Sequence, residues 1–289
     1  MWLLLSFAAA LFTSLTDVLG KKVIGRSGVY VVVWGMNLFA MPFLYVALLA
    51  QPLPALGPLF WCSLVLQGSM VTVASILYFK AIEASDLSVT IPMLTFTPLF
   101  LLITSPLMLG EFPNPAGLWG ILLIVIGSYV LNIAELHKGY LAPFKALVKE
   151  KGPRYMLMVA ILYSIAANID KIGVRHSSPL AWAAALNTFL TIVFALIILS
   201  KGAPVIYQIR AGWKYLVLLG AANAFALIAN MVAIELTLVP YLIAIKRLSV
   251  FMTLFVGFVI FKEKGCRERS VGALLMVLGA VLISLAHGP

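Results

Sequence analysis

The sequence predicts an all-α integral membrane protein whose ten transmembrane helices form two inverted five-helix repeats. Three observations support this fold class: the composition, ten apolar runs and an internal repeat. Of the 289 residues, 63% are hydrophobic and 10% charged, and the mean hydropathy is +1.09. A soluble domain carries about a quarter charged residues and could not bury this much apolar surface in one core. The composition therefore excludes a soluble or disordered chain.

Ten stretches approach the roughly 20 apolar residues that a helix needs to cross a bilayer. In chain order these predicted spans are Trp2–Leu19, Val29–Ala50, Pro58–Phe79, Leu87–Leu109, Ala116–Ile133, Tyr155–Val174, Leu180–Leu199, Trp213–Leu236, Tyr241–Phe261 and Ser270–Ala286. The longest polar stretch, Glu135–Arg154, is rich in lysine and is predicted to be a surface linker.

The two halves of the chain match in an ungapped register. A shift of 150 residues superposes Asn37 on Asn187, and a shift of 152 superposes the Ala-Ile-Glu of 81–83 on that of 233–235. The predicted divisions are a first repeat over 1–134, a linker over 135–154 and a second repeat over 155–289. Because each repeat holds five spans, the second enters the membrane from the opposite side, which makes the repeat inverted.

The basic residues predict an orientation. The chain carries 20 Lys and Arg against 10 Asp and Glu. Sixteen of the basic residues fall on the side of the membrane reached by the odd-numbered connections, whereas Lys171 and Arg175 fall on the side of the termini. Cytoplasmic loops carry the basic excess, so both termini are expected outside the cytoplasm of a cell (inner) membrane. The net charge of +10 is then explained by membrane topology and does not indicate a nucleic-acid partner.

Short motifs mark corresponding places in the two halves. Lys21 and Lys171 lie at matching helix ends, and Gly110-Glu111 precedes the fifth span as Lys262-Glu263 precedes the tenth. In these features and its two five-span repeats, the whole chain resembles the drug/metabolite transporter superfamily, specifically its EamA branch. The resemblance implies secondary transport of a small organic metabolite by alternating access between the repeats. It leaves the substrate open, because the superfamily moves amino acids, sugars, phosphorylated sugars, nucleotide sugars, polyamines and drugs.

Lys246 and Arg247 lie inside the ninth predicted span, on the order of 8–10 Å along the helix. Ionisable residues at such depth are costly and usually face a bundle interior or a wet cavity. The pair could clamp a phosphate or carboxylate, and it resembles the phosphate-binding pair of the triose-phosphate translocator branch. Alternatively, Glu235, Glu83 or Asp170 neutralises it, or Lys246 snorkels to the interface.

The first half has Leu94 and Thr95 where the second has Lys246 and Arg247, so a clamp would be one-sided. A site specialised after duplication would show this asymmetry, and so would a structural pair. If the pair contacts the substrate, an anion is favoured. If it is neutralised, export of neutral or zwitterionic amino acids or drugs is expected. A coupling proton or a counter-substrate is compatible with both.

Other charged residues are predicted to form structural helix-end ion pairs, with gating as the alternative. Asp17 precedes Lys21 by four residues, which favours pairing on one helix face. In the small multidrug branch a membrane-embedded Glu precedes the first-helix Lys by eight residues, where this chain has Thr13 or Ser14. That departure counts against proton-coupled export of cationic drugs. The ion-pair candidates are Asp17, Lys21, Asp170, Lys171, Glu83 and Glu235.

Buried amides and aromatic residues are further candidates for substrate binding. Asn37 and Asn187 need partners in hydrocarbon, and either a substrate or an interhelical hydrogen bond would supply them. Aromatic residues often belong to interfacial belts instead. The candidates are Asn37, Asn187, Trp34, Tyr78, Tyr163, Asn168 and Asn230.

Proline and glycine predict which spans bend and which pack rigidly. Pro92 and Pro98 interrupt the fourth span and Pro240 opens the ninth, and proline removes a backbone donor, so these are predicted hinges. Glycines seven residues apart allow close helix approach in the fifth and tenth spans. These packing glycines are Gly120, Gly127, Gly272 and Gly279.

The sequence predicts no enzyme, no metal and no cofactor. Its three histidines have no metal-ligand spacing with Cys62 or Cys266, and it contains no glycine-rich phosphate loop or nucleophile motif. This disfavours a lipid-linked enzyme, and the inverted repeat disfavours a membrane scaffold. The expected partners are a small-molecule substrate and the bilayer, with the protein a monomer or a weak homodimer. The histidines are His137, His176 and His287.

Overall fold

The computed structural model describes residues 1–24, 29–85, 87–133, 141–200, 205–253 and 266–286, and every regular element among them is a helix. The helices are α1 (Trp2–Ile24), α2 (Val29–Leu49), α3 (Phe60–Ala84), α4 (Leu87–Thr90), a 3-10 helix (Ile91–Phe96), α5 (Thr97–Leu109), α6 (Pro115–Ile133), α7 (Ala142–Lys149), α8 (Lys151–Arg175), α9 (Pro179–Ser200), α10 (Val205–Leu236), α11 (Val239–Lys246) and α12 (Cys266–Ala286). Helical turns also cover 248–253. The predicted all-α class is confirmed.

Within these residues, seven helical stretches are long and apolar enough to cross a membrane. They correspond to the first four predicted spans and to the sixth, seventh and eighth. At the fifth and tenth predicted spans, the apolar stretches are the shorter Pro115–Leu131 and Val271–Ala286. The ninth predicted span lies partly outside the described residues, which stop at Thr253 there.

Two regions differ from the sequence prediction. The fourth predicted span is interrupted, since the 3-10 helix Ile91–Phe96 separates α4 from α5. Pro92 and Pro98 lie in the first turns of the 3-10 helix and of α5, where the missing proline N–H is tolerated. The predicted surface linker contains α7, and α8 already begins at Lys151.

The helices form two compact units, and each unit draws on both halves of the sequence. Unit 1 comprises Met1–Thr72 and Ile169–Leu236. One hydrophobic cluster of this unit forms where Val32 of α2 meets Leu216 and Leu219 of α10, with α1 and further α2 side chains around them. Burial of such side chains is what holds α2 against α10 in this unit.

Unit 2 comprises Val73–Asn168 and Thr237–Pro289. Small and flexible side chains form one hydrophobic cluster of this unit, where Ala74 and Ala81 of α3 meet Met93 of the 3-10 helix and Met156 of α8. Methionine adapts to irregular gaps, and this suits packing against a segment that is not a regular α-helix.

Four glycines bring α6 and α12 into backbone contact within unit 2. A Cβ added at Gly120 would lie 2.7 Å from the Gly279 carbonyl oxygen, and one at Gly127 would lie 2.5 Å from that of Gly272. From one contact to the next, the residue number rises along α6, from 120 to 127, and falls along α12, from 279 to 272. The two helices are therefore antiparallel. The 152-residue shift equates Gly120 with Gly272 and Gly127 with Gly279. Each contact therefore joins two non-equivalent positions reciprocally, as a local twofold axis requires.

Candidate functional site

Both halves of the sequence interrupt an α-helix at matching positions of unit 2. In the first half the interruption is the 3-10 helix Ile91–Phe96. In the second half α11 ends at Lys246, and the Arg247 N–H bonds the Ala244 carbonyl at 3.0 Å and the Ile243 carbonyl at 3.3 Å. The shorter bond spans three residues, as in a 3-10 turn. A shift of 152 residues places 91–96 on 243–248, so the interruptions coincide in the repeat.

Arg247 joins the two interruptions. Its Nη2 donates a 2.7 Å hydrogen bond to the Thr97 hydroxyl, and that hydroxyl donates in turn to the Leu94 carbonyl at 2.8 Å. Thr97 is 1% exposed, and Arg247 is partly buried. The guanidinium carries five N–H donors in a planar fork, so this bond orients it while using one donor. The arrangement holds a cation at a break in the helices.

Tyr163 and Ser75 lie in the same unit beside this cation. The Tyr163 hydroxyl shares a hydrogen bond with Ser75, and the Arg247 charge acts on Tyr163 electrostatically. Lys246 is also partly buried. Among the predicted binding residues, the structure thus groups Arg247 with Tyr163. Tyr78 packs nearby against the Ala74–Met93 core.

Asn168 is a structural cross-link within unit 2. Its Nδ2 donates to the Thr104 hydroxyl and to the Ser164 carbonyl, both at 3.0 Å, and its Oδ1 accepts from Ser105 at 2.7 Å. The residue is fully buried. Both amide N–H groups and the amide oxygen of Asn168 thus bond to other protein groups. Through these hydrogen bonds Asn168 holds α5 against α8.

The other predicted amides lie in unit 1. Asn187 Nδ2 donates to the Asn37 carbonyl at 2.8 Å, whereas Asn37 Nδ2 donates to Val33 on its own helix at 2.8 Å. Among the predicted binding residues of this unit, three buried polar atoms have no hydrogen-bond partner within the described part of the chain: Asn187 Oδ1, Asn230 Oδ1 and Trp34 Nε1. Unit 1 therefore has two unsatisfied acceptors and one donor among its predicted binding residues.

Within unit 1, Asp170 accepts hydrogen bonds from two buried side chains. Its Oδ1 accepts from Gln67 Nε2 at 2.8 Å and from Trp182 Nε1 at 2.9 Å. The adjacent Lys171 is buried. The remaining predicted ion-pair residues differ in setting: Asp17, Glu83 and Glu235 are exposed. The structure does not describe the side chain of Lys21. The described residues do not include Lys262, Glu263, His137 and His287.

Two polar residues cap the helices beside the site. Glu111 Oε2 accepts from the Val239 N–H at 3.2 Å, at the start of α11. Asn114 Oδ1 accepts from the Gly117 N–H at 2.8 Å and from the Tyr241 hydroxyl at 3.3 Å. Pro240, a predicted hinge, lies in that first turn of α11. The description contains no group of three His, Cys, Asp or Glu side chains that could hold a metal.

Sequence reasoning missed Thr97, Ser75 and Gln67 as site residues. Thr97 stands 150 residues before Arg247, the same shift that superposes Asn37 on Asn187. The 150-residue shift could therefore have drawn attention to Thr97. The 152-residue shift, which applies to this part of the repeat, instead matches Arg247 with Thr95. Ser75 and Gln67 carry no pattern that distinguishes them from other polar residues in apolar spans.

These features define a class: a multi-pass helical membrane protein with a cation at a break in its spans. The model of the EamA-like transporter family matches the chain twice, over residues 1–133 and 151–285. The chain therefore belongs to this family of membrane transporters within the drug/metabolite transporter superfamily, as its sequence resemblance predicts. Its function accordingly involves a small-molecule substrate and a lipid bilayer.

Comparison with solved structures supports the fold. Matches include 27 chains. One crystal structure aligns with a TM-score of 0.79 at 17% sequence identity, over 98% of this chain and 96% of the other. At that identity the likeness shows a shared fold. No curated protein matches the sequence.

Proposed function

We propose that the chain is a secondary active transporter of a small organic metabolite, with ten spans in two inverted repeats that alternate access to the substrate. An anionic substrate bearing a phosphate or carboxylate is favoured. The observation that carries this proposal is the Arg247 guanidinium held by Thr97, where both halves interrupt a helix. Interrupted segments at corresponding positions of two repeats are where secondary transporters place their substrates.

The inverted arrangement is supported by the glycine contact of α6 and α12. Gly120 meets Gly279 and Gly127 meets Gly272, which is the reciprocal pattern of a twofold axis across antiparallel helices. An axis relating antiparallel spanning helices lies in the plane of the membrane. Repeats related in this way enter the bilayer from opposite sides, and exchanging their conformations opens the site to one side and then the other.

Anion recognition is supported by the chemistry of the pair. Arginine presents a planar fork that matches carboxylate and phosphate, and lysine adds a compact charge. Successive helical residues differ by about 100° in direction, so Lys246 and Arg247 approach a ligand from different angles. An embedded cation is costly, and an anionic ligand offsets that cost.

A second candidate is export of neutral or zwitterionic amino acids or drugs. It is favoured by Asn187 Oδ1 and Asn230 Oδ1, which are buried acceptors without partners among the described residues. An ammonium or hydroxyl group of a substrate would satisfy such acceptors, since buried polar atoms are costly when unpaired.

The two candidates differ in their response to substitution of the pair. Purified protein in proteoliposomes should take up at least one compound from a panel of phosphorylated, carboxylate and neutral metabolites. We expect Arg247→Gln to reduce anion transport by roughly ten- to a hundredfold, because hydrogen bonds to charged groups contribute about 1.5–3 kcal/mol. Lys246→Gln should reduce it less, and Lys214→Gln, an exposed lysine, should leave it unchanged. Unaltered anion transport in both pair variants would exclude the clamp.

Orientation and assembly are part of the proposal. The basic residues place both termini outside the cytoplasm of the cell membrane, with a monomer or weak homodimer as the working form. Fusion of a reporter active only in the cytoplasm to the C-terminus should give an inactive product. An active fusion would reverse the orientation without affecting the site.

A further inference from the structure

The short helix α7 occupies the connection between α6 and α8. Its eight residues, Ala142–Lys149, rise about 12 Å at 1.5 Å per residue, which is far less than the roughly 30 Å hydrocarbon core. It is followed at once by α8, an apolar helix of 25 residues that is long enough to span. A non-spanning helix joined directly to a span lies at the end of that span, next to the membrane surface.

Specific contacts fix α7 on unit 2. The Phe144 ring packs against Phe96, with centroids 5.7 Å apart, and against Tyr129 at 5.5 Å. Pro143 and Ala146 are buried beneath the helix. The Arg154 side chain donates to the carbonyls of Leu147 and Val148 at its C-terminal end. These contacts determine which face of α7 points outward.

The outward face combines an apolar stripe with a basic one. Leu141, which directly precedes α7 as its N-cap, is 63% exposed and Val148 is 75% exposed. At about 100° per residue they lie within about 20° of one another around the helix axis. Lys145 and Lys149, four residues apart and both exposed, form the adjacent stripe. An apolar face bordered by lysines is the pattern of helices that lie in a membrane interface.

We propose that α7 is an interfacial helix that binds the headgroups of anionic phospholipids. Leu141 and Val148 enter the acyl boundary, and Lys145 and Lys149 pair with lipid phosphates. Charge complementarity selects an anionic lipid, because each lysine near an anionic surface favours binding about fivefold. The surface also touches the interrupted segment, since Phe96, which Phe144 contacts, directly precedes Thr97. The lipid site does not depend on which substrate is transported.

The test uses the full-length protein with Cys62→Ser and Cys266→Ser, and a spin label on Val148→Cys. The protein is reconstituted in phosphatidylcholine vesicles with increasing phosphatidylglycerol. We expect the label to be accessible to oxygen and shielded from a water-soluble nickel complex, with shielding that rises with phosphatidylglycerol. Lys145→Gln/Lys149→Gln should require about twenty-five-fold more phosphatidylglycerol for equal shielding, which is the product of two fivefold factors.

Three controls make the result decisive. Lys145→Arg/Lys149→Arg keeps the charge and should retain the response. Arg175→Gln removes one charge at the far end of α8, about 36 Å away along that helix, and should also retain it. A label exposed to nickel at every composition, or a double glutamine variant that responds like the parent, would overturn the proposal. So would equal shielding by soluble glycerol phosphate, which would indicate a small-molecule phosphate site.

Discussion

Within unit 2, the α6–α12 pair keeps the symmetry of the sequence repeat, whereas the interrupted helices depart from it. Gly120, Gly127, Gly272 and Gly279 make reciprocal contacts that obey a twofold axis. At the interruptions, by contrast, the second half supplies Lys246 and Arg247 where the first half has Leu94 and Thr95. The hydrogen bond from Arg247 to Thr97 has no mirror image, because the first half has Thr95 and not an arginine at the position that matches Arg247.

The difference follows from what each region must do. Two helices in lipid associate through close backbone packing, and the same small residue serves equally on both sides of an axis. A buried cation, in contrast, carries a desolvation cost, and duplicating it would place like charges near one another. Symmetry is retained where packing alone is needed and is lost where charge is concentrated.

The largest expected effect is on the symmetric side, from Gly127→Ala. The new Cβ would lie 2.5 Å from the Gly272 carbonyl oxygen, so the helices must separate, at a cost of about 2 kcal/mol of unfolding free energy. Gly272→Ala should cost the same, because its Cβ would lie 2.7 Å from the Gly127 carbonyl oxygen. The measurement is chemical denaturation in mixed detergent micelles.

The matched control is Gly20→Ala in α1, whose added Cβ meets nothing within 4 Å. It should be neutral or slightly stabilising, since alanine favours helix more than glycine does. Combining Gly127→Ala with Gly272→Ala should cost less than the sum, because helices already separated accommodate the second Cβ. Clearly unequal single costs would contradict the twofold contact.

The small-residue faces of the symmetric side could be predicted from sequence, because they depend on residue spacing alone. Glycines seven residues apart in two spans indicate a small-residue face in each, and the 152-residue register equates them. The partner of Arg247 could not be found in this way. The hydrogen bond to Thr97 depends on how the 3-10 helix turns its side chains, and an apolar run containing Pro92 and Pro98 does not specify where α-helix gives way to 3-10 helix.

The asymmetric side is tested by Thr97→Val, which keeps the shape of the side chain and removes the hydroxyl that orients Arg247. Loss of a hydrogen bond to a charged group costs about 1.5 kcal/mol, or roughly tenfold in the apparent affinity for an anionic substrate. Thr97→Ser keeps the hydroxyl and should keep the apparent affinity of the parent protein. Both are compared by the concentration dependence of uptake in proteoliposomes. An unchanged apparent affinity in Thr97→Val would mean that Arg247 needs no orienting partner.

Glu111 is expected to stabilise the first turn of α11, the helix that ends at the interruption in the second half. Its carboxylate accepts from the Val239 N–H, one of the donors that a helix start leaves unsatisfied. Glu111→Ala should therefore cost about 1 kcal/mol of unfolding free energy. Glu111→Gln keeps an acceptor oxygen but lacks the negative charge that favours a helix N-terminus, and it should cost about half as much. Equal losses in the two variants would show that the charge, rather than the cap, matters.

The region around α7 shows a second limit of sequence reasoning. Glu135–Arg154 is polar enough to indicate a surface linker, and that composition does not distinguish a loop from a short helix lying on the membrane. What fixes α7 is the contact of Phe144 with Phe96 and Tyr129. Because the contact joins residues distant in sequence, a local pattern of apolar and basic residues does not reveal it.

The smallest expected effect concerns Asn37 and Asn187, equivalent in the repeat but unequal in their hydrogen bonds. Asn187 donates to the Asn37 carbonyl across two helices, whereas the Asn37 amide donates within its own helix. Asn187→Ala should cost about 0.6 kcal/mol of unfolding free energy, typical of an interhelical hydrogen bond in a membrane protein. Asn37→Ala leaves the accepting carbonyl in place and should cost less. Equal costs in the same denaturation measurement would contradict the unequal hydrogen bonding of these two equivalent amides.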